Sequence, residues 1–376
     1  MKESRRSLTA GTMILIALAS IGFFVAVYRF IYGLGAITNL SDGRPWGFWI
    51  SFDLYCGVAL ASGGFTMAAI FYIFCRRKYH DLVRPAIMTA FLGYILVVFA
   101  LLIDLGQPWR IWHAIIFWNI NSPLFEVAWC VMLYSSVLAL EFSPAVFERL
   151  QWKVPLRLIR RIQIPLVIGG IVLSTGHQSS LGTMLTLMHD KVHPLWFSPM
   201  LPVHFFISAL SVGLAMVIFE ASLSAKAFNH DVDVNVLGGL GRMVPWVLGP
   251  YLIARVIDVI FRGNFGLAFT AFPQNLLWWL EILGGVVLPI VLFSMPGVRK
   301  SKSKLFWSAL IVVLGLMLNR FNVSLFILEG RPGYSYWPHW MEIAISAGLF
   351  SAALLTMQLA NRYLPVYHLG PTDDAA

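Results

Sequence analysis

Ten apolar runs, each close to or above the roughly 20 residues that cross the hydrocarbon core of a bilayer, follow one another along this chain. They occupy 11–34, 46–74, 85–106, 123–142, 162–183, 199–224, 239–261, 274–296, 304–325 and 338–360. Short polar or Pro/Gly-bearing stretches separate them, such as Ser41-Asp42-Gly43-Arg44-Pro45 and Arg331-Pro332-Gly333. Nothing is left over for a soluble domain. In lipid each backbone polar group must be satisfied within the protein, so runs of this length predict helices. The expected fold is an all-α integral membrane protein of about ten transmembrane helices. Composition agrees: of 376 residues 59% are hydrophobic and 12% charged, too few charges to cover a water-soluble surface.

The charges also orient the chain. Most of the 27 Lys and Arg lie at the N-terminus and in every second loop: Lys2, Arg5, Arg6; Arg76, Arg77, Lys78, Arg84; Arg149, Lys153, Arg157, Arg160, Arg161; Lys226, Arg242; Arg299, Lys300, Lys302, Lys304; and Arg362. The alternate loops carry only Arg44, Arg110, Lys191, Arg262 and Arg331. The positive-inside rule then places both termini in the cytoplasm of a multi-pass inner-membrane protein. The net charge of +9 is therefore a topology signal and not a nucleic-acid signal. The first run extends to about Ala36, too long for a signal peptide, and reads as an uncleaved anchor. Cys56, Cys75 and Cys130 form no C-x-x-C, so no disulfide framework, zinc site or iron–sulfur site is indicated. The outward loops are rich in aromatics and Pro, as in Pro108-Trp109-Arg110-Ile111-Trp112-His113, His193-Pro194-Leu195-Trp196 and Tyr334-Ser335-Tyr336-Trp337-Pro338. They suit interfacial anchoring or the docking of an extracytoplasmic partner.

Ionisable residues inside spans are costly and usually face a bundle interior. At 1.5 Å per residue their depth follows from the topology. Asp53 lies about two turns into span 2, beyond Trp46 and Trp49. Asp104, Glu126, His177, His204, Arg255, Asp258, Glu281, Arg320 and Glu342 all fall in the outer half, and Glu220 alone is expected near the inner face. Asp104 then Glu126 is echoed by Asp258 then Glu281, with His177 or Arg320 ending the next span. The echo suggests two four-helix bundles, spans 2–5 (46–183) and spans 6–9 (199–325), with flanking helices.

Each feature has a plainer reading. Arg255 and Asp258, i and i+3 on one helix, can neutralise each other. Glu126, Glu281 and Glu342 stand near span ends, where solvated interfacial groups are common. Gly57, Ala61 and Gly64 form a small-residue face for close helix packing. The run His177-Gln178-Ser179-Ser180-Leu181-Gly182 offers an imidazole, an amide and two hydroxyls that can bond a quinone carbonyl or cap a helix end. Transmembrane b-type haem needs facing His pairs, and the spans hold only His177 and His204, so no haem is expected. No nucleotide loop or metal motif is present.

Several segments resemble a known family: Phe30-Ile31-Tyr32-Gly33-Leu34-Gly35, Pro45-Trp46-Gly47-Phe48-Trp49-Ile50-Ser51-Phe52-Asp53, Leu82-Val83-Arg84-Pro85-Ala86, Leu140-Glu141-Phe142-Ser143-Pro144-Ala145, His177 to Gly182, and Lys191-Val192-His193-Pro194-Leu195-Trp196. They are similar to the membrane subunits of hydrogenase-2-type nickel–iron hydrogenases, within the polysulfide reductase membrane-subunit (NrfD-like) family. The resemblance runs from about residue 28 to 365. It implies ten helices in two four-helix bundles, with a site for quinone (menaquinone or ubiquinone) near the extracytoplasmic face. It also implies no redox metal in the chain. Electrons would pass between that quinone and an extracytoplasmic iron–sulfur subunit, itself fed by a catalytic subunit such as a nickel–iron hydrogenase.

On this basis Asp53 and His177 are expected to hold the quinone headgroup, with Trp46, Trp49 and Gln178 shaping the pocket. Asp104 and Glu126 are expected to move its protons, and Arg255, Asp258, Glu281 and Arg320 to form a second polar track, both serving possible proton translocation. Two other classes compete. A secondary transporter predicts a polar site at mid-depth and helices broken there, and the spans show no conspicuous interruption. A purely structural anchor for a periplasmic enzyme fits the aromatic loops but leaves Asp53 and His177 unexplained.

Overall fold

Each apolar run becomes a helix, because only a helix satisfies its own backbone in lipid. The computed structural model describes residues 9–44, 46–228, 231–326 and 336–366. The long helices are α1 (Ala10–Tyr32), α2 (Ile50–Ile73), α3 (Arg77–Asp104), α4 (Pro123–Leu150), α5 (Lys153–Thr186), α6 (Leu201–Phe228), α7 (Val234–Phe261), α8 (Gln274–Ser294), α9 (Lys302–Phe326) and α10 (Trp340–Tyr363). Among the described residues no strand forms. Nine of these helices are long and apolar enough to cross a membrane. The remaining one, α5, has 34 residues but is diluted by Lys153, Arg157, Arg160, Arg161 and the polar run at His177. Large apolar side chains such as Phe23, Phe24 and Ile31 on α1, Ile168 and Val172 on α5 and Trp246 and Phe261 on α7 are exposed, as a lipid-facing surface requires.

Helix boundaries depart from the hydropathy runs where charged turns stay helical. Thus α5 begins at Lys153 and not near 162, directly after Gln151 turns the chain in a left-handed conformation (φ 58°). Lys2, Arg5, Arg6, Pro45, Arg331-Pro332-Gly333 and Tyr334-Ser335 lie outside the described residues.

Helices α2 to α5 close a ring through the pairs α2–α3, α3–α4, α4–α5 and α2–α5, and α6 to α9 close a second ring in the same cyclic order. The rings meet where α5 and α2 pack on α6 and where α2 packs on α9. Helix α1 lies along α10, and α10 leans on α3. The two rings share a local device. Trp129 on α4 donates to the carbonyl of Ala114, in the short helix His113–Ile116, at 2.8 Å. Trp279 on α8 donates to Ala268, in the short helix Leu267–Thr270, also at 2.8 Å. Each indole ties down the loop before the third helix of its ring.

Small residues set how closely the helices approach. Gly57, Ala61 and Gly64 on α2 face Val97, Gly93 and Ala90 on α3, and a Cβ on Gly64 would meet that of Ala90 at 2.5 Å. The backbones of Gly285 on α8 and Gly315 on α9 touch, as do those of Gly22 on α1 and Gly348 on α10. Such contacts give dispersion energy in a solvent that supplies no hydrophobic drive between helices.

One expectation fails. Helix α2 is interrupted at mid-depth: π-helical at Ile50–Cys56 and Ala69–Ile73, α-helical between, with a turn at Ala61-Ser62. The interruption is filled by protein, since Ser62 Oγ donates to the Ala209 carbonyl of α6 at 2.6 Å and Gly213 makes room for it. Such π segments often mark functional positions, and here one carries Asp53.

Candidate functional site

Helices α2, α3, α6 and α10 enclose a cavity of about 410 Å³, whose walls are mostly side chains such as Leu60, Leu92, Leu96, Phe219, Leu354 and Met357. It runs from Phe52 and Asp53 toward Phe228 and Gln358, near the end of the bundle that carries Arg76, Arg149 and Lys226. We call that the basic end, and the opposite one the aromatic end. Asp53 closes the cavity toward the aromatic end and is 1% exposed. Its Oδ2 accepts from Ser346 Oγ of α10 at 2.6 Å, while Oδ1 is buried with no partner among the described residues. A buried carboxyl half-satisfied against an apolar cavity is costly unless a ligand or water completes it. Further along the same cavity, Glu220 accepts from Thr89 Oγ1 at 2.5 Å.

The aromatic end is sealed above Asp53. Trp49 is buried and donates from Nε1 to the Glu342 carbonyl at 3.0 Å. The Glu342 carboxylate is fully buried and accepts from the backbones of Asn39 and His339 and from the Tyr336 hydroxyl. That hydroxyl also accepts from Phe48 N at 2.8 Å. Burial, and then its bond to Glu342, push the Tyr336 phenol well above the ordinary tyrosine range, so it remains a donor. Arg29 of α1 is buried and donates to the carbonyls of Ile103 and Leu105, capping the end of α3 on either side of Asp104. Asp104 is partly exposed and lies within electrostatic reach of Asp53, Glu342 and Arg29. Trp46 is partly buried, 6.3 Å from the Tyr55 ring, outside the cavity wall.

The structure separates residues that the sequence grouped. His177 is buried inside the first ring and does not line the cavity. Its Nδ1 bonds the Tyr94 hydroxyl at 3.0 Å, and Nε2 has no partner among the described residues. Gln178 donates to the Val58 carbonyl of α2 at 2.9 Å and keeps its own oxygen unpartnered. Helix α2 stands between the two groups: Asp53, Cys56, Gly57 and Leu60 face the cavity, while Tyr55 and Val58 face α5. Toward the basic end the first ring also buries Glu141 on α4, near Gly170. Glu220 is thus not the lone buried acid there, because the 123–142 boundary had made Glu141 a run-end residue.

In the second ring Glu281, Asp258 and Arg320 have polar neighbours, while His204 Nδ1, Arg255 Nε and Nη2, Arg320 Nε and Asn322 Oδ1 are buried with no partner among the described residues. The Glu281 carboxylate accepts from Trp196 Nε1 at 2.7 Å, Asn319 Nδ2 at 2.8 Å and Asn322 Nδ2 at 2.8 Å. Arg320 donates to Asn319 Oδ1 at 2.7 Å and Ser208 Oγ at 2.9 Å and lies over the Phe205 ring. A water-sized space of about 20 Å³ adjoins Glu281, Asn319, Tyr251, Ser208 and Ser211. Asp258 does not pair with Arg255. It holds Arg262, one helical turn on, at 2.8 Å, and accepts from Ser198 Oγ at 2.7 Å. Arg255 donates to the Trp196 carbonyl at 3.3 Å. Glu126 is exposed on the first turn of α4, outside either polar cluster.

Residues 36–327 match the family described as Polysulphide reductase, NrfD. The chain belongs to that family. A protein of Nitratidesulfovibrio vulgaris is 41% identical over 97% of this chain and 96% of its own. The probable Ni/Fe-hydrogenase 2 b-type cytochrome subunit of Escherichia coli is 36% identical over 94% of this chain and 91% of its own. The integral membrane subunit of a menaquinone reductase from Nitratidesulfovibrio vulgaris is 26% identical over 92% and 88%. This NrfD-family chain is thus similar throughout to membrane subunits of oxidoreductase complexes. The word cytochrome in one of those names invites a test for haem. Of the two histidines in the spans, His177 bonds Tyr94 inside the first ring and His204 on α6 is buried with Nδ1 unpartnered among the described residues, and neither lines the large cavity.

Proposed function

We infer that this chain is the quinone-reactive membrane subunit of a respiratory redox complex in a bacterial cytoplasmic membrane, with both termini cytoplasmic. The observation that carries this is the unpartnered Asp53 Oδ1 at the closed end of a long apolar cavity. A quinone has the matching chemistry, a ring oxygen for the carboxyl and a polyprenyl tail for the walls. Menaquinone and ubiquinone both meet that description. The names of two relatives, a menaquinone reductase subunit and a hydrogenase 2 subunit, support the same reading.

Asp53 exchanges a proton with the ring oxygen. In reduction the neutral carboxyl donates to the carbonyl that gains charge, and in oxidation the carboxylate accepts from the quinol hydroxyl. Ser346 holds the carboxyl in place, and Trp49 and Glu342 fix α2 against α10 so that the geometry persists. Asp104, partly exposed and electrostatically coupled to Asp53, relays the proton to the aromatic end. Two electrons accompany two protons. The electrons come from or go to an iron–sulfur subunit docked on the aromatic loops and fed by a catalytic subunit of the nickel–iron hydrogenase kind. His177 and Tyr94 act inside the first ring as a separate polar element, a route by which turnover can be coupled to proton translocation. Secondary transport is disfavoured because the mid-depth break in α2 is packed against α6 by Ser62 and Gly213, and beside it Ala61 meets a cavity whose walls are mostly apolar.

The test is purification of the full chain with its partners in mild detergent, followed by quinone analysis of the extract and a reduced optical spectrum. Bound quinone and iron–sulfur absorbance are expected. Asp53→Asn, which keeps an acceptor for Ser346, should retain the fold and lose quinone-linked turnover. Wild-type preparations without quinone or redox partner, or full turnover in the variant, would overturn the reading. A haem α-band would reassign the redox chemistry.

A further inference from the structure

We propose that the quinone enters and leaves the cavity sideways from the lipid, through a mouth between α6 and α10 in the half of the membrane nearer the basic end. This rests on the quinone reading above and adds the route. The cavity is lined unevenly. At the Asp53 end its walls are the more enclosed, with Asp53 and Cys56 at 1% exposure, Ala61 at 4% and Phe52 partly buried, and the Trp49–Glu342–Tyr336 network covers that end. Toward the other end, lining residues face outward: Leu223 on α6 is 47% exposed, Phe350 on α10 is 53% exposed, and Ala227 is exposed as well. A side chain that both lines a cavity and lies on the surface marks where that cavity opens.

The depth of the mouth follows from helix geometry. Phe350 lies about 15 Å along α10 from Trp340, and Leu223 is less than two turns before the end of α6, at 1.5 Å per residue. The opening therefore spans from mid-membrane to the basic end, whereas the carboxyl that binds the ring lies in the opposite half. The ring travels headfirst along the cavity to Asp53, and a ring that enters beside Leu223 or Ala227 passes the Glu220–Thr89 pair on the way. The tail then trails back through the mouth into the leaflet at the basic end. Helix α10 is suited to form one side of such an opening. Its polar ties, Ser346 and Glu342, lie in its aromatic-end half, and the residues it presents to the cavity beyond them are Phe350, Ala353, Leu354, Met357 and Gln358.

The experiment measures association and equilibrium binding of a long-chain menaquinone to the full-length complex in nanodiscs. It compares wild type with Leu223→Trp, Ala227→Trp and Asp53→Asn. Both mouth positions face lipid, so the added indole leaves the core intact, and two variants guard against one that folds poorly. Bulk at the mouth should slow association about tenfold, equivalent to about 1.4 kcal/mol on the barrier, with the equilibrium affinity nearly unchanged. Asp53→Asn should weaken equilibrium binding while leaving association fast. Association as fast as wild type in both folded mouth variants would overturn the route, even if Asp53→Asn still weakens binding. Unchanged binding in Asp53→Asn would instead overturn the headgroup assignment, and the route with it.

Discussion

Glu281 offers a direct way to decide whether a buried acid in this membrane protein carries protons or holds helices together. Its carboxylate receives three hydrogen bonds, from Trp196 on the α5–α6 loop and from Asn319 and Asn322 on α9. Glu281→Leu would orphan all three donors in a space that admits about one water. At about 1–3 kcal/mol for each buried unsatisfied donor, the loss is about 3–9 kcal/mol. The weaker coupling measured for hydrogen bonds within membranes, about 0.6 kcal/mol each, sets a floor near 2 kcal/mol. Glu281→Gln keeps one carbonyl oxygen for two of the donors and turns an NH₂ toward the third, so its cost should be intermediate. Thermal unfolding of the detergent-purified chain, followed by tryptophan fluorescence, should rank wild type above Gln above Leu. The conversion is about 2–4 °C per kcal/mol for 150–250 residues and smaller for a longer chain, so Leu should fall by a few degrees. If Glu281→Leu melted with wild type yet lost turnover, the structural assignment would be refuted and a proton-carrying role would replace it.

Two further outcomes follow from the aromatic end. Ser346→Ala removes the one donor among the described residues that fixes the Asp53 carboxyl; with hydrogen bonds to charged groups contributing about 1.5–3 kcal/mol, quinone affinity should drop about tenfold or more in a titration of the purified complex. An unchanged affinity would mean that Asp53 needs no orientation. Tyr336→Phe strands the Phe48 N–H and one Glu342 oxygen, and should lower the melting temperature at neutral pH. Because the phenol is raised above its unfolded value of about 10, this contribution is fully present below that pH and is lost as pH rises through the folded value. The difference in melting temperature between wild type and Tyr336→Phe should therefore be constant from pH 6 to about 9.

The spans were legible because hydropathy needs no knowledge of neighbours, and Asp53 stood out because an acid inside a long apolar run has few innocent explanations. Depth along a helix was legible too, at a fixed rise per residue. The angle around the helix axis was not. Asp53 and His177 lie in the same half of the membrane, which made one site of them, but α2 turns Asp53 toward α10 and offers Tyr55 and Val58 to α5. The partner of Asp53 is Ser346, 293 residues away on a helix read as a flank, and no local pattern announces such a contact. The cavity is a property of four helices that fail to meet, so no single segment encodes it. Asp258 shows a smaller version of the same limit: the i,i+3 neighbour Arg255 looked like its partner, yet Arg262 at i,i+4 takes the carboxylate.

Glu281 and Asp53 are two buried acids held in opposite ways, and that contrast bears on where the chemistry can sit. In the second ring the Glu281 carboxylate is fully engaged, which favours rigidity and leaves it little capacity to exchange a proton without breaking a helix contact. Around α2 the reverse holds. Asp53 Oδ1 on the irregular α2 and His177 Nε2 and Gln178 Oε1 on the neighbouring α5 are buried and unpartnered among the described residues. Unsatisfied groups in a membrane interior are costly and persist where a ligand, water or proton uses them. Helix α2 also packs on both α6 and α9 of the second ring, beside the Arg320 cluster. A change in the charge of Asp53 is therefore placed to be felt by the first ring through Tyr55 and Val58, while in the second ring Glu281, engaged by three donors, holds α8 to α9, the helix on which α2 packs.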